Sequence, residues 1–388
     1  MWLVNRFNRV VEIADEVDAA KRIKSGRMRK ATHEEIARAT AEREAKSIKP
    51  GGVYYSTVRS TPDGYGMSRD HLKYELGKLG VQMDEVFADQ KVALLYNYPY
   101  SLPNLKSDVR LIYTMFESDK IPEDWADYLH EADEVIVPSK FCQVAFAAEG
   151  VSTTVVPLGY NSRTFRYFDR PKRDVFTFIH YDSFNLRKGF QEVFEAFTQE
   201  FGKDEPVRLI LKTVQEHTGV PIVKGIFTNI EVVRGEYTEH QLLELLARAD
   251  CMVYPSRGEG FGITPLEAMA TGLPAIVPNA HGISEYFDKR YMLPVKVARK
   301  MPALNNRFRG QNIGDMVVCD VKDLRKKMRY AFEHQDEMRK LGREASEYVK
   351  NYCYSVTAAG LAAIIKKWQD KDVPKRTDSK YLRVERVS

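Results

Sequence analysis

Short apolar, β-rich runs alternate with helical patterns through most of this chain, and that alternation constrains the fold more than any single residue does. The first series lies at 53–58, 92–96, 109–114, 134–137 and 154–156, with helical patterns at 125–132 and 141–148. A second lies at 175–179, 207–211, 230–233, 251–254 and 275–277, with a helix predicted over 239–249. Strands joined through helices run parallel, and a parallel sheet needs cover on both faces. The pattern therefore predicts an α/β protein with mainly parallel sheets. At 388 residues the chain is long for one hydrophobic core, so two domains with a cleft between them are expected.

Residues 1–50 read as a polar helical arm, rich in helix formers around Glu34-Glu35-Ile36-Ala37-Arg38. Residues 51–160 form the expected first domain and 161–354 the second, with the linker between Pro157-Leu158-Gly159 and Pro171. A helix at about 355–370 can pack back on the first domain, and the charged segment 371–388 reads as a mobile tail.

A hydrophobic share of 44% and a charged share of 29% are ordinary for a globular protein, and no apolar run is long enough to span a bilayer. The start, Met1-Trp2-Leu3-Val4-Asn5-Arg6, lacks the features of a secretion signal, so a cytoplasmic location is expected. Cys142, Cys251, Cys319 and Cys353 form no close pairs, which favours buried, reduced thiols over a metal or redox centre. The net charge of +5 suits an anionic ligand without identifying one. The densest basic run, 21–30, is either a solvated helix end or a contact to a phosphate-rich substrate.

Chemistry concentrates in Ser256-Arg257-Gly258-Glu259-Gly260-Phe261-Gly262-Ile263-Thr264-Pro265-Leu266-Glu267, at the end of a predicted buried strand. In open α/β sheets ligands bind at the carboxyl ends of strands, and a glycine-rich turn lets backbone N–H groups approach a phosphate or sugar. Glu259 and Glu267 flank that turn and can accept hydrogen bonds from hydroxyls. Glu267 also has a structural reading, because Thr264-Pro265-Leu266-Glu267 has the form of a capping box with proline at the first helical position. A second cluster, Asn185-Leu186-Arg187-Lys188-Gly189-Phe190, puts two cations at the start of a predicted helix, where they oppose the macrodipole unless an anion lies nearby.

These segments resemble the retaining glycosyltransferases of GT-B fold, in particular family 4 (glycosyl transferases group 1). The resemblance runs from Tyr237 to Glu285 and weakens in the first half of the chain. It implies two Rossmann-like domains facing a central cleft. It also implies that Glu259 and the amides of Gly260, Phe261, Gly262, Ile263 and Thr264 contact the donor sugar, and that Glu267 binds the ribose. Lys188, with Arg187, would bind the donor diphosphate; the family's further arginine is absent where this chain has Tyr181-Asp182-Ser183. The donor base is expected near Glu236 and Tyr237, and Gly66 in the turn Gly64-Tyr65-Gly66 near the diphosphate. Tyr65, Asp119 and His281 are acceptor-side candidates. Glu117 stands near the family's usual histidine, with an alternative role as cap of a helix beginning at Pro122.

The reaction implied is front-face sugar transfer with retention, metal-independent and without a cofactor beyond the nucleotide-sugar substrate. The acceptor is a glycan, small molecule or lipid-linked group, or else hydroxyl-bearing modified bases of viral DNA. The basic arm, Lys289-Arg290, Arg299-Lys300 and Arg307-Phe308-Arg309 are the case for the latter, and the former is slightly favoured. A non-catalytic nucleotide-sugar-binding module is the reading of another class. A dinucleotide-dependent oxidoreductase is disfavoured, since no Gly-x-Gly-x-x-Gly follows the first strand.

Overall fold

A computed structural model of the chain describes residues 2–5, 10–12, 20, 22–25, 28–30, 53–57, 64–84, 90–214, 227–303, 305, 308 and 310–376. The chain divides into two compact units, Met1–Gly52 and Val53–Ser388.

The first unit departs in part from the helical arm expected of it: residues 20 and 22–24 are helical, but three strands surround them. β1 (Trp2–Asn5) pairs antiparallel with β2 (Val10–Glu12) and with β3 (Met28–Lys30), placing Leu3 opposite Val11 and Val4 opposite Arg29. Val and Trp are strand-favouring residue types, and Trp2-Leu3-Val4 and Val10-Val11 stand on β1 and β2. Arg29 and Lys30 of the basic run stand on β3. The helix expected around Glu34 to Arg43 lies outside the described residues.

The second unit carries two six-stranded parallel sheets. The first has β4 (Val53–Thr57), β5 (Met83–Asp84), β6 (Val92–Tyr96), β7 (Val109–Tyr113), β8 (Glu134–Val137) and β9 (Thr153–Val155), in the order β5-β4-β6-β7-β8-β9. Its helices include α1 (Gly64–Lys78), α2 (Trp125–Leu129) and α3 (Lys140–Ala147). The second sheet has β10 (Phe176–Tyr181), β11 (Val207–Thr213), β12 (Ile230–Arg234), β13 (Cys251–Val253), β14 (Ala275–Pro278) and β15 (Leu293–Val295), in the order β12-β11-β10-β13-β14-β15. Its helices include α4 (Phe190–Glu200), α5 (Glu239–Leu246) and α6 (Ile263–Ala270). β6, β7 and β10 are buried along their whole length, as strands covered on both faces must be.

The short edge strands β5 and β15 lie outside the sequence reading, and so do the three elements that come next after the second sheet. A hairpin, β16 (Val297–Pro302) with β17 (Asp315–Cys319), follows the second sheet, then α7 (Val321–Glu333) and α8 (Gln335–Tyr348). The hairpin reaches the first sheet's side: buried Phe308 packs on Phe116, Trp125 and Tyr98 at centroid distances of 5.5, 6.2 and 6.3 Å. Ser118 Oγ donates to the Ile313 carbonyl at 2.7 Å beside it.

α9 (Tyr354–Asp370) packs against α1, with Tyr354 Oη donating to Ser68 Oγ at 3.0 Å and Trp368 Nε1 to Glu134 Oε2 at 2.6 Å. The linker passes beside its start, where a Cβ on Gly159 would lie 2.3 Å from the Cys353 carbonyl carbon. The beginning of the expected mobile tail is tied down: Arg376 donates from its backbone to Asp108 and from Nη2 to Asp133, at 3.0 and 2.9 Å. Residues 377–388 lie outside the described residues. No helix among the described residues is long and apolar enough to cross a membrane.

Candidate functional site

The site is built where β10, β11 and β13 end. After β10, Asn185 caps a short 3-10 turn, Leu186–Lys188, its side chain accepting from the Lys188 amide at 3.2 Å. Gly189 then turns into α4 at φ 70°, and a Cβ there would meet the Pro255 carbonyl oxygen at 2.1 Å. That approach requires glycine, and it presses the Arg187–Lys188 turn against the strand end that leads to Glu259. Arg257 N donates to the Arg187 carbonyl at 2.7 Å across the same seam.

Lys188 and Glu259 meet there. Lys188 Nζ lies 2.8 Å from Glu259 Oε1 and 3.0 Å from Asp182 Oδ2, and donates to Tyr254 Oη at 3.2 Å. Ser256 Oγ donates to Glu259 Oε1 at 2.7 Å. Tyr254 Oη stands 2.7 Å from Asp182 Oδ2 and 2.9 Å from Glu259 Oε1, with one proton to share between them. Arg187 Nη1 donates to the Gly258 carbonyl at 2.6 Å and to Glu259 Oε2 at 3.2 Å, while Nη2 is 3.7 Å from Glu117 Oε1. Burial alone would push the Glu259 carboxyl up, but the charges of Lys188 and Arg187 outweigh it and hold it far below the usual range. Burial likewise opposes the charged forms of Asp182 and Arg187, and their partners overcome it: Lys188 lowers Asp182, and Glu259 with Glu117 raises Arg187.

Glu117 thus reaches this cluster from the loop after β7. It does not cap the helix expected at Pro122: α2 begins at Trp125 with Asp124 at its cap position. The glycine turn fits tightly against the same loop, since a Cβ on Gly258 would lie 2.2 Å from the Glu117 carbonyl oxygen and one on Gly260 2.8 Å from Met115 Cβ. Ser139 Oγ closes the contact by donating to the Gly260 carbonyl at 2.7 Å.

Glu267 is not a capping residue. Gly262, at φ 90°, is the N-cap of α6 without any side-chain cap, so the helix begins at Ile263, ahead of the expected start at Pro265. The positive φ that only glycine adopts easily turns the chain early and leaves Thr264 inside the first turn. Glu267 Oε2 instead lies 3.0 Å from Tyr181 Oη, which donates to the Thr264 carbonyl at 2.9 Å. Burial raises the Glu267 carboxyl to about 8. A neutral Glu267 satisfies the whole chain, its O–H donating to the tyrosine oxygen while the tyrosine O–H serves Thr264. Phe261 is buried, packed edge-on to Tyr286 at 5.4 Å, and Tyr286 Oη donates to the Gly262 carbonyl at 2.6 Å.

The remaining candidates divide. His281 is buried at φ 44°, with Nε2 2.9 Å from the Ser256 carbonyl and Nδ1 without a partner among the described residues; burial lowers its pKa to about 4. Tyr237 lies beside the site, its ring 5.2 Å from Lys212 Nζ, and Glu236 is exposed in the same loop. Asp119 is engaged elsewhere, accepting from the Asp315 amide at 2.6 Å and from Lys300 Nζ at 2.8 Å on the hairpin. Lys300 is correspondingly drawn from the basic set, and Arg290 pairs with Asp288 at 2.6 Å. Arg307 and Arg309 lie outside the described residues. Tyr65 and Gly66 stand in the first turn of α1, not in a loop ahead of it; their side-chain positions lie outside the description.

Sequence reasoning assigned no role to Asp182, Tyr254, Ser256 or Lys212. All four sit at or just past strand ends of the second sheet, which is the positional signal that marks ligand-facing residues in such sheets. Among the described residues no group of three or more His, Cys, Asp or Glu is arranged to hold a metal ion.

Residues 164–296 match the family model described as Glycosyl transferases group 1. ORF313 of Acidianus filamentous virus 1, named as an inferred glycosyltransferase, is 28% identical over 189 residues, covering 46% of this chain and 56% of that protein. TuaC of Bacillus subtilis, likewise inferred and named for teichuronic acid biosynthesis, is 25% identical over 196 residues, covering 47% and 48%. The chain thus matches about half the length of either relative. Among solved structures, sucrose-phosphate synthase from Thermosynechococcus elongatus aligns with a TM-score of 0.63 at 15% identity, over 81% of this chain and 98% of that one. Anabaena HepE in complex with UDP and glucose aligns at 0.60 and 12%, over 82% and 100%. The fold is therefore GT-B, with two Rossmann-like sheets.

Proposed function

We propose that this chain is a glycosyltransferase that moves a sugar from a nucleotide-diphosphate donor to an acceptor hydroxyl with retention of anomeric configuration. The observation that carries the reading is the cluster of buried Lys188 and Glu259 with part-buried Arg187, beside the uncapped N-terminus of α6. Two cations and free helix amides suit a diphosphate, and a carboxylate held ionised suits sugar hydroxyls. The matched segment 164–296 contains all of these residues, and UDP bound in the Anabaena structure makes a nucleotide sugar the natural donor class.

Glu259 pairs with both cations, and Asp182 and Glu117 complete their neutralisation. A bound diphosphate takes over Lys188 and Arg187, and Glu259 is released to accept hydrogen bonds from the donor sugar. Glu267, beside Tyr181, faces the ribose hydroxyls. In transfer, the bond from the sugar's anomeric carbon to the phosphate oxygen breaks while the bond to the acceptor oxygen forms on the same face. The acceptor's proton passes to the departing phosphate oxygen, so no protein nucleophile is needed. Rate enhancement comes from holding donor and acceptor together and from fixed positive charge at the leaving group, which makes a metal unnecessary.

Incubation with radiolabelled UDP- and GDP-sugars and a panel of acceptor glycans, small hydroxyl compounds and modified duplex DNA tests the reading. Product whose new bond keeps the donor's anomeric configuration, lost in Lys188→Ala, supports it. Donor binding without any product or hydrolysis marks a binding module instead, and inverted product overturns retention.

A further inference from the structure

Four Lys and Arg side chains are buried among the described residues: Arg110, Lys188, Lys212 and Arg257. Three face carboxylates, Arg110 with Glu131 at 3.0 Å, Lys188 with Glu259 at 2.8 Å and Arg257 with Glu192 at 2.7 Å. Lys212 is 8% exposed, and no described residue gives its ammonium a hydrogen bond or an ion pair. A desolvated cation without a partner is costly to hold, and burial lowers its pKa accordingly.

Its position explains why such a group is kept. Lys212 is the penultimate residue of β11, so it stands at the ligand-facing end of the second sheet, between the loops that follow β10 and β12. Its carbonyl accepts from the Asp182 amide at 3.1 Å, which fixes it beside the segment leading to Arg187 and Lys188. Its ammonium lies 5.2 Å from the Tyr237 ring. The carboxylates of Asp182 and Glu236 act on it through space. Asp182 is already engaged by Lys188 at 3.0 Å and by Tyr254 at 2.7 Å, and Glu236 is exposed. Among the described residues no carboxylate is left free to pair with Lys212, and a ligand's negative charge would supply the match.

We propose that Lys212 is a donor-binding residue that contacts a phosphate oxygen of the nucleoside diphosphate, a third cation alongside Lys188 and Arg187. The proposal rests on the nucleotide-sugar reading above. A neutral base carbonyl would leave the charge uncompensated, whereas a phosphate oxygen supplies both the acceptor and the opposite charge.

Calorimetric titration of UDP, GDP and ADP, and of uridine, guanosine and adenosine, into the full-length wild type, Lys188→Ala, Lys212→Met, Lys212→Gln and Lys212→Arg tests it. For whichever diphosphate the wild type binds, Lys212→Met and Lys212→Gln should weaken binding about tenfold or more, and Lys212→Arg should recover most of the loss. The thermal midpoint of Lys212→Met should equal or exceed the wild type's, because a buried charge without an ion pair among the described residues has been removed. Wild-type diphosphate affinity in Lys212→Met, with loss in Lys188→Ala, overturns the role of Lys212 and leaves the donor reading standing. Equal weakening of nucleoside and diphosphate overturns the phosphate contact in favour of a base contact. Failure of the wild type to bind any of the three diphosphates overturns the donor reading, and the Lys212 proposal with it.

Discussion

Lys188 and Glu259 form an ion pair of 2.8 Å between side chains only 10% and 8% exposed, joining the turn before α4 to the glycine loop before α6. A buried pair of this kind contributes little net stability against an apolar replacement, but losing one partner strands the other, at about 3–5 kcal/mol. Lys188→Met is therefore expected to lower unfolding free energy by that order in urea titrations at pH 7. The Glu259 carboxyl is held low in the fold, so its contribution is present above the usual carboxylate range and is lost as pH falls. The deficit of Lys188→Met should accordingly shrink when the titration is repeated near pH 4.5. The double variant Lys188→Met/Glu259→Gln should regain most of the stability and none of the donor affinity.

Glu267 carries the opposite sign. Its carboxyl is raised to about 8 by burial, so the folded chain holds a proton there that the unfolded chain releases near 4.5. Stability from this group is complete below about 4.5 and declines as pH rises through about 8. Melting curves from pH 5 to pH 9 should show that decline in the wild type and a flatter profile in Glu267→Gln. The amide is neutral throughout and keeps a partner for Tyr181. Identical profiles would show that Glu267 is ionised in the fold.

The central strands of both sheets in the second unit were legible in sequence, because strands covered on both faces are near-continuous apolar runs, as at Val92–Tyr96, whereas the short edge strands β5 and β15 were not. The β16–β17 hairpin was not, since its first strand, Val-Ala-Arg-Lys-Met-Pro, is mostly exposed and carries no burial pattern. The first unit's sheet was masked by polar surroundings. At the site, the glycine turn and the Arg187–Lys188 cluster were visible as motifs. Asp182 and Lys212 were not, because a lone charge at a strand end acquires meaning only when the register shows which loops adjoin it. The capping-box pattern at Thr264 misled for a related reason: the helix start is set by the φ of Gly262, which the sequence permits without requiring.

Phe308 should account for much of the hairpin's attachment. It is 5% exposed among Phe116, Trp125 and Tyr98, and nothing else from the hairpin supplies an aromatic ring to that cluster among the described residues. Phe308→Ala is expected to cost about 3–5 kcal/mol in chemical denaturation, with Phe308→Leu costing distinctly less. A loss under about 1 kcal/mol for the alanine variant would mean that the ring is not packed there in solution.

Gly258 gives the sharpest geometric test of the site. A methyl group there would lie 2.2 Å from the backbone carbonyl oxygen of Glu117, a contact that rotation of a side chain cannot relieve, and 3.3 Å from Met316 Cγ. The Gly258 carbonyl also accepts from Arg187 Nη1 at 2.6 Å, so any shift that admits the methyl moves the guanidinium as well. Gly258→Ala should fold with wild-type helix content by circular dichroism, because the clash is confined to one loop. Misplacement of reacting groups by about 1 Å costs on the order of 100-fold in rate, so turnover should fall by that order with Lys188 and Glu259 both intact. A Gly258→Ala variant that turns over at the wild-type rate would show that the Gly258 loop and the Glu117 loop do not approach this closely in the proposed transfer.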